Sequence, residues 1–238
     1  MPTQKTAIIT GASGSIGTGL VQGFLNDGYC VVATSLNATQ SSLTSSPSLV
    51  LVDGDLSQPE AAAKIANAAI ERFGSIDVLV NNAGIFRKKP FIDYTTDDVN
   101  ALVSINLLGF LYITQFALKQ MLKQKSGNVV TISASLADHP IAGENASISM
   151  MTKGGLNSAT RNLAMEYAKE GIRFNAVAPG AVATAMHADS SADAQQRSPM
   201  GKLAEVKDIV QAVLYLAHAD QVTGEVLNVD GGAHVGRW

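Results

Sequence analysis

The chain is short of charge, of aromatic side chains and of cysteine. Of its 238 residues 16% are charged and 5% aromatic, there is one tryptophan and one cysteine, and 17 basic side chains face 20 acidic ones. The small acidic excess leaves no basic footprint for a nucleic acid. A single thiol excludes an internal disulfide, and no Cys/His cluster has the spacing of zinc ligands. Cys30 lies in the apolar run Tyr29-Cys30-Val31-Val32 and reads as a small buried hydrophobe. No Lys or Arg occurs from Thr6 to Ala63. The N-terminus lacks the long apolar stretch and small-residue cleavage site of a signal peptide, so a cytoplasmic protein is expected. One uncharged run, Ala101 to Leu118, is at the short end for a membrane span. It holds Ser104, Asn106, Thr114 and Gln115, which are costly in hydrocarbon, so a helix buried by sheet and a partner subunit is expected instead.

What is present is enough for a core. The 46% hydrophobic fraction excludes a disordered chain. Short, nearly continuous apolar runs at Thr6–Thr10, Cys30–Thr34, Leu49–Val52, Val78–Asn81, Asn128–Ser133, Arg173–Ala178 and Glu225–Val229 predict strands covered on both faces. Helical patterns separate them at Gly17–Asn26, Pro59–Phe73, Thr96–Lys123, Ser149–Glu170 and Glu205–Ala217. Pro59 at a helix start and Gly171 at a helix end are suitable punctuation. Strand–helix–strand alternation with right-handed crossovers predicts one α/β domain over 1–238, a doubly wound parallel sheet of about seven strands with helices on both faces. Two polar stretches interrupt it. Ser41–Ser48 reads as a surface connection, and Ala188–Ser198, in a substrate loop near 185–204, as a lid at the ligand edge.

The first strand runs into Gly11-Ala12-Ser13-Gly14-Ser15-Ile16-Gly17 and then a helix. Such a turn brings backbone N–H groups and a positive helix end against a phosphate. Asp53 to Leu56 ends the third strand, Asn81-Asn82-Ala83-Gly84 the fourth, and Asn175 to Gly180, closing with Pro179-Gly180, the sixth. Asn106 sits inside the long helix, and Val222 to Gly232, with Asp230-Gly231-Gly232, closes the pattern. In this order and spacing the motifs resemble the short-chain dehydrogenase/reductase family over nearly the whole chain. The resemblance implies a Rossmann fold, a nicotinamide dinucleotide (NAD or NADP), hydride transfer between it and a small carbonyl or alcohol substrate, and a homotetramer. It implies no nucleic-acid or membrane partner.

Carried over by residue, the resemblance places Gly11, Ser13, Ile16 and Gly17 at the pyrophosphate, with Ser15 where relatives have the middle glycine. It places Asp55 and Leu56 beside the adenine and Asn82, Ala83 and Gly84 on the ribose side. Pro179, Gly180, Val182 and Thr184 would flank the nicotinamide, and Lys153 would bond its ribose. Ser35 stands where NAD-preferring relatives carry an acid and Leu36 where NADP-preferring ones carry a cation, which leans towards NAD.

The family's chemistry uses a serine, a tyrosine and a lysine supported by an asparagine. Lys153 and Asn106 match. Where the tyrosine is required, four residues before the lysine, this chain has Ser149, and no tyrosine occurs between Tyr112 and Tyr167. An ungapped match puts Ala134 at the serine position, flanked by Ser133 and Ser135, of which Ser135 is favoured through a bulge at the strand end. Ser149 would hold a water that relays a proton from Lys153, and restoring a tyrosine there is expected to raise turnover on a simple ketone. Other candidate proton donors are His139, in the segment Asp138 to Glu144, and His187. The expected function is an oxidoreductase with an altered proton relay. The alternatives are a dinucleotide-binding sensor or scaffold with little turnover and a non-redox enzyme reusing the pocket. Apolar residues on two helices, among them Leu107, Leu108, Phe110, Leu111, Met150 and Met151, are expected to form subunit contacts.

Overall fold

The computed structural model describes residues 4–184, 195 and 198–236. Seven strands form one parallel sheet in the order β3-β2-β1-β4-β5-β6-β7. They are β1 (Thr6–Thr10), β2 (Cys30–Ser35), β3 (Leu49–Asp53), β4 (Val78–Asn81), β5 (Gly127–Ile132), β6 (Ile172–Pro179) and β7 (Val226–Val229). The register aligns Ile8 with Val32 on one side and with Leu79 on the other, so the apolar runs stack across the sheet centre. Five of the strands, β1, β2, β4, β5 and β6, are mostly or fully buried, which is why their sequences are apolar nearly throughout rather than alternating.

Helices α1 (Ser15–Asn26) and α6 (Val206–His218) cover one face. Their core side chains Leu20, Phe24, Ile209, Val213 and Leu216 pack on Ile9, Val31, Val80 and Val130. Helices α2 (Pro59–Phe73), α4 (Gly109–Gln124) and α5 (Ser147–Tyr167) cover the other face, where Ile65, Ile113, Met121 and Ala164 meet Ile8, Leu79, Val129 and Phe174. Helix α2 starts on Pro59 and ends where Gly74 turns left-handed at φ 86°.

The long apolar segment is not a uniform helix. Helix α3 (Thr96–Leu102) passes through a π-helical turn, Val103–Leu108, before α4 begins. By length and composition Thr96–Gln124 would suffice to cross a membrane. In this fold Ile113, Ala117 and Met121 of that segment are fully buried beneath the sheet.

The strand order reverses between β1 and β4, whose neighbours diverge to opposite edges. The carboxyl ends of the strands therefore open a crevice there, the place where ligands bind in doubly wound sheets. Most of the polar stretch expected to form a lid, and His187 with it, lies outside the described residues. Its flanks are tied together, with Ala183 N–H donating to Ala204 O at 2.8 Å and Ala204 N–H to Ala181 O at 3.1 Å.

Candidate active site

The crevice is bounded first by the turn between β1 and α1. Gly11 has φ 64°, and a Cβ on it would fall 2.9 Å from the Cα of Ala83, so glycine is required for both conformation and space. Ser13 and Ser15 are exposed, Ile16 is half-buried, and α1 begins without a side-chain cap on its N-terminus. Its first N–H groups are thus open to an anion. Across the crevice Thr10 Oγ1 accepts the N–H groups of Asn82 and Ala83, each at 2.9 Å. The Asn82 amide donates to Thr10 O and Gly11 O, which locks the ends of β1 and β4 together. Leu56 is buried against Gly109, and Asp55 caps its own turn through the Ser57 N–H.

At the end of β2 the hydroxyls of Thr34 and Ser35 are buried with no hydrogen-bond partner. Such groups are rare in folded proteins, and at a crevice they are available to a bound hydroxyl or phosphate. The uncapped turn and the orphan Ser35 hydroxyl fit a dinucleotide at this edge. Lys64 lies just beyond the cation-free stretch, and its ammonium donates to the carbonyl of Asp53, the register partner of Ser35.

On the other side of β4 lie Lys153, Asn106 and Gly84. Lys153 Nζ donates to Ile132 O at 2.7 Å, and burial lowers its pKa to about 8. A Cβ on Gly84 would sit 3.3 Å from that nitrogen and 3.2 Å from Asn106 Oδ1, so the missing side chain keeps the ammonium accessible. Asn106 is buried inside the π-helical turn. Its Oδ1 accepts the Ile85 N–H at 2.8 Å, and its Nδ2 donates to Ile85 O and to Thr152 Oγ1. The apolar periodicity around Asn106 carries no sign of the wide turn, although such bulges often mark functional sites.

Ser149 is brought next to this group and then committed elsewhere. Its hydroxyl accepts the N–H of Arg87 and donates to the carbonyl of the same residue, both at 2.9 Å. The Arg87 carbonyl also accepts from Tyr94 Oη at 2.8 Å. Buried Asp98 holds the loop from outside through Arg87 and Lys89, and their cations keep its carboxyl well below the usual carboxylate range, Lys89 most of all. The connection from β4 to α3 is therefore latched over Ser149. A tyrosine at 149, expected to restore the family's acid, would give up both of these bonds to the Arg87 peptide. The only advance sign was the basic run Arg87-Lys88-Lys89 followed by an acid at 98.

The serines divide as follows. Ser133 is buried, with its hydroxyl 3.4 Å from Lys153 O. Ser135 opens a 3-10 turn after β5 rather than sitting on a bulge, and its carbonyl accepts the N–H groups of Asp138 and His139. Ala134, between them, is extended and half-buried. At the end of β6, Pro179 pairs with Val229 and Gly180 N–H donates to Val229 O. Val182 is buried, and Thr184 ends the described part of that connection with its hydroxyl 3.4 Å from Val182 O.

Comparison with known proteins agrees with this geometry. A family model described as enoyl-(acyl carrier protein) reductase matches residues 11–234. The L-rhamnose 1-dehydrogenase (NAD(P)(+)) of a Sphingomonas species is 34% identical, covering 97% of this chain and 96% of its own. A 3-ketoacyl-(acyl-carrier-protein) reductase from Brucella melitensis, solved with NADH, superposes with a TM-score of 0.91 at 27% identity, over 97% of this chain and 98% of its own. ElxO with NADP bound gives the same TM-score at 29% identity, over 98% of this chain and all of its own.

Proposed function

The chain belongs to the short-chain dehydrogenase/reductase family, and we propose that it is an NAD(P)-dependent oxidoreductase of a small carbonyl or alcohol whose proton path does not run through Ser149. The bound dinucleotide supplies or takes a hydride at its nicotinamide ring. Gly11, Ser13, Ser15, Ile16 and Gly17 would present the turn and helix start to the pyrophosphate, and Ser35 its free hydroxyl to the adenosine ribose. Asp55 and Leu56 would border the adenine. Asn82, Ala83 and Gly84 would shape the floor, and Pro179, Gly180, Val182 and Thr184 the nicotinamide wall. Lys153 would bond the nicotinamide ribose, with Asn106 fixing the strand end that faces it.

The observation that carries this reading is the desolvated Lys153 ammonium beside the gap left by Gly84. Among the described residues the ammonium has one bond, to Ile132 O, and a cation held at such a cost beside an open gap marks a candidate ligand site. Ser149 serves as the latch for the loop at Arg87, and Ser135, at the start of the turn after β5, is the serine we assign to the substrate oxygen. For the dinucleotide we favour NAD, since Ser35 faces no cation of its own and Lys64 is turned to a backbone carbonyl.

A second reading, a dinucleotide-binding protein with little turnover, is favoured by one fact: Ala134 and a committed Ser149 stand where the family's two hydroxyls would be. Calorimetric titration with NADH and NADPH, followed by a carbonyl panel read at the reduced-nicotinamide absorbance, separates the two. Binding with turnover supports the enzyme, binding without it the sensor, and no binding removes both.

We also propose a homotetramer. Leu111, Met151 and Met165 expose 43%, 67% and 83% of their surface on α4 and α5, apolar area that a second copy would cover.

A further inference from the structure

The end of the chain carries a side-chain pair that the site above does not use. His234 follows β7, and its Nδ1 lies 2.9 Å from Oδ1 of Asp230, whose side chain is 1% exposed. The same carboxylate accepts the N–H groups of Gly232 and His234 at 3.1 and 3.0 Å, so the acid is rigidly placed. Asp230 backs onto the nicotinamide wall: a Cβ on Gly180 would fall 2.8 Å from its Cβ. His139 belongs to a different connection, the one after β5. Its N–H donates to Ser135 O at 3.0 Å, which ties it to the turn after β5. The two imidazoles lie side by side with ring centroids 5.5 Å apart and planes inclined at 54°.

Among the described residues, the charged or titratable groups around the pair are few. Asp230 lies behind His234, and Asp138 adjoins His139. Asp138 is itself engaged by Asn157 at 3.0 Å and by Arg161 at 3.5 Å. The Ser198 hydroxyl, packed against Gly231, is buried without a partner and so is available to a ligand.

We infer that His234, oriented by Asp230 and packed beside His139, exchanges the substrate proton that a tyrosine exchanges elsewhere in the family. The inference rests on the oxidoreductase reading. The contact to Asp230 puts a proton on Nδ1 and leaves Nε2 to take or give one, the arrangement in which a buried acid orients a catalytic imidazole. In the oxidation of an alcohol the O–H proton passes to Nε2, and the C–H hydrogen leaves with its electron pair to the oxidised dinucleotide, which is reduced. The oxygen lone pair closes the C=O bond, and the imidazole, about a third of whose side chain is exposed at 32%, releases its extra proton to solvent. Reduction of a carbonyl reverses each movement.

The test uses the full-length protein with saturating NADH or NADPH and a panel of small secondary alcohols and ketones. His234→Gln is expected to bind dinucleotide as the wild type does, to lose roughly 10²- to 10⁴-fold in turnover and to lose the imidazole inflection of the pH–rate profile. His234→Ala should recover part of that turnover with added imidazole, a response that a purely structural role would not give. Without dinucleotide, 15N NMR should show the Nδ1-protonated ring of His234 in the wild type and a changed tautomer balance in Asp230→Asn. Wild-type-like turnover and pH profile in His234→Gln would overturn the relay alone and leave Asp230 as a turn-forming residue. Dinucleotide binding without turnover on any panel member would overturn both the relay and the redox reading, and absent binding would remove the reading on which both stand.

Discussion

Replacing Lys153 by methionine should make the ligand-free protein more stable while damaging its site. The depression of the Lys153 pKa from 10.5 to about 8 corresponds to about 3 kcal/mol of penalty for holding the ammonium. That figure is a ceiling, because the residue keeps part of its surface at the open side of the crevice. Methionine has a similar length and no charge, but it leaves Ile132 O without its donor, a loss of about 1 kcal/mol. The net gain is at most about 2 kcal/mol, or roughly 4–8 °C in melting temperature for a chain of this size. The sign of the pH dependence follows from the direction of the shift. Below pH 8 the group is protonated folded and unfolded, and the penalty is complete. Between about 8 and 10.5 the folded protein has released the proton while the unfolded chain still holds it, so wild-type stability rises with pH in that window. Denaturant titrations at several pH values should show this slope in the wild type and its loss in Lys153→Met, with gain at neutral pH and weaker dinucleotide binding. A variant that is less stable at every pH, with the wild-type slope intact, would refute the claim that the ammonium is desolvated.

Ser149→Tyr should lose the two hydrogen bonds to Arg87 and crowd its peptide, lowering stability by roughly 2–4 kcal/mol without raising turnover; a faster, equally stable variant would show that the loop yields easily. Ser35→Asp should shift the ratio of NADPH to NADH dissociation constants at least tenfold towards NADH, and an unchanged ratio would misplace the ribose pocket. Light scattering at micromolar concentration should give the mass of four chains, and a monomeric mass would contradict the assembly.

Nearly all of the sheet was legible because buried parallel strands leave continuous β-branched runs. The strands at Thr6–Thr10 and Val78–Asn81 and the helix at Pro59–Phe73 fall where the sequence places them, and the other strands and the first and last helices differ by one or two residues at their ends; the helix expected over Thr96–Lys123 is divided by the π-helical turn, and the one expected over Ser149–Glu170 starts at Ser147 and passes into a 3-10 turn after Tyr167. The π-helical turn at Asn106 left no trace, since widening a helix by one residue leaves its apolar face almost unchanged. The Lys153 environment followed from motif spacing. The Arg87 latch did not, because its hydrogen bonds run through backbone groups that every residue carries. Asp230 and His234 were visible only as a glycine-rich ending; what brings His139 to them is the folding of two connections at the same sheet edge, which no local pattern records.

The central claim is that a hydride passes between dinucleotide and substrate in a site without the family's tyrosine. Its most direct measurement is isotope transfer. The protein is incubated with dinucleotide carrying deuterium on the transferable face of the nicotinamide C4, together with a mixture of small ketones and aldehydes, and the alcohols are examined by mass spectrometry. Protein-dependent deuterium is expected on the carbinol carbon of at least one alcohol, retained in Ser149→Ala and strongly reduced in Lys153→Met. Tight dinucleotide binding with no deuterium in any product would contradict it.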